Sequence, residues 1–216
     1  MNNQDVLGKQ QISDYLKDLP HWREAPGAIA AVFQAKTSAV AIELLGEIAR
    51  IAEVDQHHPD VDWRYNKIFV TTTSHDAGGA VTTRDIALAS KISERAQALG
   101  VAARHELIAT VEVCIDSDDP QRIVPQWAAG LGYRVMDDGS LVDPDRRLPA
   151  IWFQETVSPN PNRFHLDIWK PYSESSVVLD TLRDQEAVLD DQEAPSFVVA
   201  TDRQGNRFCI CTERDR

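Results

Sequence analysis

Cysteine is scarce in this chain. Its 216 residues include three, Cys114, Cys209 and Cys211. An odd number without C-x-x-C spacing argues against a disulfide framework and predicts free, buried thiols. Basic charge is also in short supply, with 22 Lys and Arg against 34 Asp and Glu and a formal charge of −12. A nucleic-acid duplex or an anionic membrane would be repelled, so neither is expected as a partner. No apolar run is long enough to span a bilayer. The opening Met1-Asn2-Asn3-Gln4-Asp5 lacks the basic and apolar regions of a signal peptide, so a cytoplasmic location is the expectation. No repeat or low-complexity segment occurs. What remains is an ordinary globular composition, 43% hydrophobic and 26% charged, in a chain suited to one large or two small domains.

Chemistry concentrates in one stretch, Glu53 to Asp85, which carries three of the six histidines: His57, His58 and His75. Histidine titrates nearest neutrality, so such a cluster is a candidate proton-transfer site. Upstream, Val40, Leu44, Leu45, Ile48, Ile51 and Ala52 recur on one helical stripe. Pro59 disfavours helix at the residue before it, which predicts that this helix stops near His57 with His58 extended. Glu53, four residues before His57, and the helix C-terminus would both favour a protonated His57. Asn66 to Ser74 reads as a strand, and His75 lies at its end, before the turn signal Asp76-Ala77-Gly78-Gly79. Thr82 to Asp85 then reads as a helix start close to a capping box. Asp85 has two equal readings at this point, a helix cap or a carboxylate that orients a histidine.

The intervals resemble those of the pterin-4a-carbinolamine dehydratases. The residues that carry the resemblance are Glu53, His57-His58-Pro59, Tyr65, His75 and Asp85. Trp22-Arg23-Glu24, Tyr65-Asn66-Lys67 and Arg84-Asp85-Ile86-Ala87-Leu88-Ala89 agree as well, and the match covers roughly residues 8 to 100. Family members commonly carry Trp shortly after His-His-Pro; here Val61 stands there, with Trp63 two residues on and on the same face of an extended segment. The resemblance implies an α+β domain over residues 1–100, an antiparallel sheet with helices on one face. It implies a pterin substrate and a hydro-lyase reaction without cofactor or metal. His57 and His75 are then the acid/base pair, with His58 assisting and Asp85 orienting. Trp22, Arg84, Val61 and Trp63 are the expected substrate-binding residues, and a homo-oligomer is the expected assembly.

In chain order, a short helix is expected from about Ser13 to Pro20, a hairpin from Trp22–Glu24 and Ala28–Ala35, and a helix from Thr83 to about Leu99. The domain boundary is expected at Val101 to Glu106. Beyond it, a strand at Thr110–Ile115 and a helix opening at Asp119-Pro120 precede short strands near 133–136, 140–142 and 150–156. The strand Phe164–Trp169, a helix Ser176–Leu189 and a hairpin over Ser196–Thr212 complete the pattern. This twofold strand-helix-strands order resembles the glyoxalase-like members of the vicinal oxygen chelate superfamily and implies a paired βαβββ domain over 107–216. Its carriers are Asp119-Pro120, Leu131-Gly132-Tyr133, Trp152-Phe153-Gln154, Asn162 to Asp167 and Gly205 to Cys209. Matching to that superfamily's metal ligands gives His165, Gln154 and Cys209, with Glu112 nearest on the first strand. An amide and a thiol are poor donors for a hard divalent ion, so no metal is expected.

Three function classes follow. The first is a 4a-hydroxytetrahydropterin dehydratase with a C-terminal domain of unknown ligand. The alternatives are a non-catalytic oligomeric small-molecule-binding or scaffold protein, and a metalloprotein that uses the three histidines.

Overall fold

The computed structural model describes residues 5–157, 163–202, 205 and 207–215. The chain forms two compact units, Met1–Ile108 and Ala109–Arg216. The first contains helix α1 (Lys9–Lys17), strands β1 (Arg23–Ala25) and β2 (Ala28–Gln34), helix α2 (Ser38–Asp55), strands β3 (Asp60–Arg64) and β4 (Lys67–Thr72), helix α3 (Thr83–Ala98) and strand β5 (Ala102–Ala103). The sheet is antiparallel in the order β1-β2-β4-β3, with β5 paired to β2.

Side-chain alternation decides where the helices lie. Ile68, Val70 and Thr72 of β4 are buried and point the same way, while the residues between them are half-buried. Ile68 and Val70 join Ile29, Ala31 and Phe33 of β2 in one core with Leu44 and Ile48 of α2 and Leu88 and Ile92 of α3. The apolar stripe read in the sequence is therefore the face of α2 that covers the sheet. The opposite face is capped more thinly, with Ala30, Val32 and Phe69 under Leu107 and Ile108. Because β5 pairs with β2 and Leu107 and Ile108 pack on this sheet, residues 101–108 belong to the first unit rather than to a linker.

The second unit is one eight-stranded sheet in the order β11-β12-β13-β10-β6-β9-β8-β7. Its first half is β6 (Thr110–Ser117), α4 (Pro120–Leu131), β7 (Arg134–Val135), β8 (Leu141–Val142) and β9 (Ala150–Glu155). The second half repeats it with β10 (Phe164–Trp169), α5 (Tyr172–Asp184), β11 (Val188–Asp190), β12 (Phe197–Thr201) and β13 (Arg207–Cys211). In each half the first strand pairs in parallel with the last, and the halves join through the antiparallel pair β6–β10. This is the paired βαβββ order expected from the sequence. One helix differs from expectation: α5 begins at Tyr172 after Pro171 and ends at Asp184, and Leu189 lies on β11. Proline's fixed φ suits it to a helix start, which moves that start ahead of Ser176. Asn162 and Asn206, which helped to carry the sequence resemblance, lie outside the described residues.

All three cysteines are buried, and none forms a disulfide among the described residues. Among the described residues, no helix is long and apolar enough to cross a membrane.

Candidate functional site

The first unit gathers its titratable groups where the end of α2, the end of β4 and the start of α3 meet. Helix α2 stops at Gln56, whose φ of 49° is left-handed. That reversal separates the two histidines that follow. His57 turns inward and is 8% exposed, and its Nε2 lies 2.8 Å from Asp85 Oδ1. His58 turns back along the helix, with Nε2 3.1 Å from Glu53 Oε1 in an exposed pair. The expectation that Glu53 serves His57 is thus corrected: the left-handed residue swings His57 away and leaves Glu53 to His58.

Asp85 is fully buried, and it both caps a helix and contacts a histidine. Its Oδ2 accepts from the Thr82 amide at 2.8 Å, completing the capping box at the start of α3. Its Oδ1 faces His57 and accepts from Thr72 Oγ1 at 2.6 Å. Ser74 Oγ donates to Oδ2 at 2.8 Å, and Thr82 Oγ1 reaches the same oxygen at 3.1 Å. Burial by itself would raise this carboxyl's pKa. The donors from Thr72, the Thr82 amide, His57 and Ser74 outweigh burial and hold it below the ordinary value. The result is a fixed carboxylate aimed at one imidazole. Among the described residues, the other ring nitrogen of His57, Nδ1, has no hydrogen-bond partner.

His75 opens a short 3₁₀ turn, His75–Ala77, directly after the buried Thr72-Thr73-Ser74. It is exposed, and its imidazole has no hydrogen-bond partner among the described residues. Gly78 (φ 72°) and Gly79 (φ 80°) close the turn in the left-handed region, where a side chain would be strained. A bridge from the Ser74 amide to the Ala80 carbonyl at 2.9 Å ties its base. Arg84, on the first turn of α3, pins the turn from outside through Asp76 at 2.6 Å. That hydrogen bond and charge hold the Asp76 carboxyl below its usual value and raise that of Arg84.

Of the four expected substrate-binding residues, one is corrected. Trp22 is fully buried: its Nε1 donates to Ser93 Oγ at 2.9 Å and its ring packs edge-on to Phe33 at 6.2 Å. It is a core residue and cannot form a rim. Val61 packs against the main core, and Trp63 is 44% exposed with Nε1 donating to the Tyr65 carbonyl at 2.6 Å. Sequence reasoning missed Thr72 and Ser74. Their signal was weak, two hydroxyl residues inside a Thr-rich strand end, yet they fix the carboxylate.

The second unit carries a cleft of about 470 Å³ on the sheet face opposite its helices. His165 lines it, crossing from Cys114 in the β6–β10 register, and Gln154 and Cys209 are there as sequence matching gave. Glu112 instead accepts from Trp169 Nε1 at 2.7 Å. The cleft also holds Asp116 and Asp167, which sequence matching overlooked. His165, Asp167 and Cys209 bring donor atoms within 4.8 Å of one another, as do Cys114, Asp116 and His165. The donor set is therefore fuller than the sequence implied, and the first of these groups is the one a divalent ion would fit. In the second, burial and then the charges of Asp167 and Asp116 push the Cys114 thiol up to about 12. At neutral pH it is a protonated donor facing Gln154 Oε1 at 3.8 Å, and a poor ligand.

Comparison with known proteins follows this division. The family model described as pterin 4 alpha carbinolamine dehydratase matches residues 5–95, and that of the glyoxalase-like domain matches residues 112–211. A protein of Nocardia farcinica with the provisional name pterin-4-alpha-carbinolamine dehydratase is 40% identical over 93 residues, covering 43% of this chain and 97% of its own length. One from Afipia carboxidovorans with the same provisional name is 39% identical over 101 residues, 45% of this chain and 98% of its own. Among solved structures, a transcriptional coactivator/pterin dehydratase from Brucella melitensis is 30% identical, covering 43% of this chain and 99% of that one at a TM-score of 0.41. Through its first half the chain belongs to the pterin-4a-carbinolamine dehydratase family, and in its second half residues 112–211 match the glyoxalase-like domain model.

Proposed function

We propose that the first unit dehydrates a 4a-hydroxytetrahydropterin to the quinonoid dihydropterin, with histidines as the general acid and base. In this reaction the C4a–O bond breaks, the hydroxyl leaves as water after protonation, and the N5 proton departs as the C4a–N5 double bond forms. His57, backed by the Asp85 carboxylate, takes the N5 proton at its Nδ1; the carboxylate stabilises the imidazolium that results. His75, exposed at the tip of the turn, protonates the leaving hydroxyl. His58 lies at the edge and assists binding, and Arg84 holds the His75 turn through Asp76.

The observation that carries this reading is the His57–Asp85 contact at 2.8 Å, in which an imidazole and a carboxylate distant in sequence meet in a buried, fully hydrogen-bonded setting. A structural histidine would need only a satisfied ring. A proton-transfer histidine needs one nitrogen oriented and the other free to meet substrate, and the Asp85 contact at Nε2 supports the first requirement. The family's names for its members and the match over residues 5–95 support the same substrate class. The test is a dehydration assay on freshly generated 4a-hydroxytetrahydropterin with the full chain. Acceleration over buffer supports the reading; pterin binding with no acceleration would leave the first unit a non-catalytic binder.

A further inference from the structure

The cleft of the second unit has no role in that reaction, and its lining is specific. Alternation along the strands sends apolar residues such as Ile115, Leu141 and Ile151 to the helix side, into a core with α4. The intervening residues face the cleft: Asp116 from β6, Trp152 and Gln154 from β9, and His165 and Asp167 from β10. Asp116 and Asp167 are 4% and 3% exposed. A carboxylate so deeply buried is costly unless donors reach it.

Asp167 is only half provided for. Its Oδ2 accepts from Trp152 Nε1 at 3.1 Å. Among the described residues its Oδ1 accepts no hydrogen bond, and His165 Nε2 stands 3.7 Å from it. Asp167 lines the cleft, with a carboxylate oxygen within 4.8 Å of the ligand atoms of His165 and Cys209, which line it too. Beside it stands an aromatic wall, Trp152 packed edge-on to His165 with ring centroids 6.0 Å apart. The volume lies within the range of about 300–1,000 Å³ usual for small-molecule sites. An unspent carboxylate oxygen beside an indole face selects a flat ligand with an N–H donor on its edge.

We propose that this cleft binds a planar nitrogen heterocycle with an amino-amidine edge, the class to which pterins belong, donating that edge to Asp167 and lying against Trp152. The choice of a pterin within this class rests on the dehydratase reading of the first unit. The chain then carries two sites for one ring system, one that transforms it and one that holds it.

The experiment is a calorimetric titration of the full chain with unsubstituted pterin in buffer containing EDTA, comparing wild type, Asp167→Asn, Trp152→Leu and Asp85→Asn, with dehydration rates measured on the same samples. The expected result is that Asp167→Asn, and independently Trp152→Leu, weaken one pterin-binding event at least tenfold while dehydration is unchanged. Retention of all pterin binding in both cleft variants overturns the proposal. So does binding that EDTA abolishes, because the occupant would then be a metal ion. Should the first-unit reading alone fail, dehydration is absent but the event sensitive to Asp167→Asn remains.

Discussion

Each unit of this chain holds a histidine–aspartate pair, and the two pairs are built differently. His57 and Asp85 are 28 positions apart, come from the end of one helix and the start of another, and meet at 2.8 Å. His165 and Asp167 are neighbours but one on a single strand, and His165 Nε2 lies 3.7 Å from Asp167 Oδ1. Asp85 receives donors from Thr72, Ser74 and Thr82 on both oxygens, whereas Asp167 receives one, from Trp152. Fixed donors on every side make a carboxylate an orienting device for its histidine. An oxygen left open makes it a ligand contact. The pair closer in sequence is the weaker one, since residues two apart on a strand share a face but point in parallel rather than toward each other.

The sharpest way to break this contrast is to remove a histidine from each unit. His75→Ala is expected to lower the dehydration rate by about 10²- to 10⁴-fold, and His165→Ala to leave it unchanged. Equal effects would erase the division of roles.

Asp85→Asn comes next. It leaves hydroxyl and amide donors facing an amide nitrogen, at a cost of about 1–3 kcal/mol. The sign of its pH dependence follows from the depressed folded-state value. An ionised Asp85 stabilises the fold above the unfolded carboxylate pKa, about 3.9, and that contribution is lost as pH falls through the lower folded value. Amide protection in α2 and α3 of the wild type, corrected for the intrinsic exchange rate at each pH, should therefore fall as pH drops below about 4, with part of that dependence missing in Asp85→Asn.

A smaller effect tests the His75 turn. Gly78→Ala places a side chain at φ 72° and should cost about 1 kcal/mol, read as a lower melting temperature of the first unit. Smallest is Arg84→Ala, which breaks an exposed pair with Asp76. Thermal stability should not move measurably, while KM for the carbinolamine rises about two- to fivefold with kcat retained; a fall in kcat alone would assign Arg84 to the chemistry.

Much of the fold was legible. The greasy stripe of α2, the alternation of β4, Pro59 and the Thr82–Asp85 cap are local signals, and each marks an element boundary to within about two residues. The repeated strand-helix-strands order of the second half was legible for the same reason. The site was legible only in its inventory. That Asp85 both caps α3 and orients His57 depends on a tertiary meeting of three elements, which spacing does not encode. The left-handed Gln56, with no glycine to announce it, gave Glu53 to His58 instead of His57. Trp22 was misplaced because the resemblance carried a residue identity and not its burial, and packing against Phe33 and a bond to Ser93 make it core. In the second half, Asp116 and Asp167 escaped notice because two strand aspartates become a site only when register sets them around one cleft.

The most direct test of the central claim is a double-mutant cycle on kcat/KM for dehydration with His57→Ala, Asp85→Asn and the two combined. If Asp85 acts by orienting and charging His57, losing both groups costs no more than losing His57 alone, since residues that act as a unit are not additive. Losses that simply multiply, or a His57→Ala variant as fast as wild type, would contradict the account.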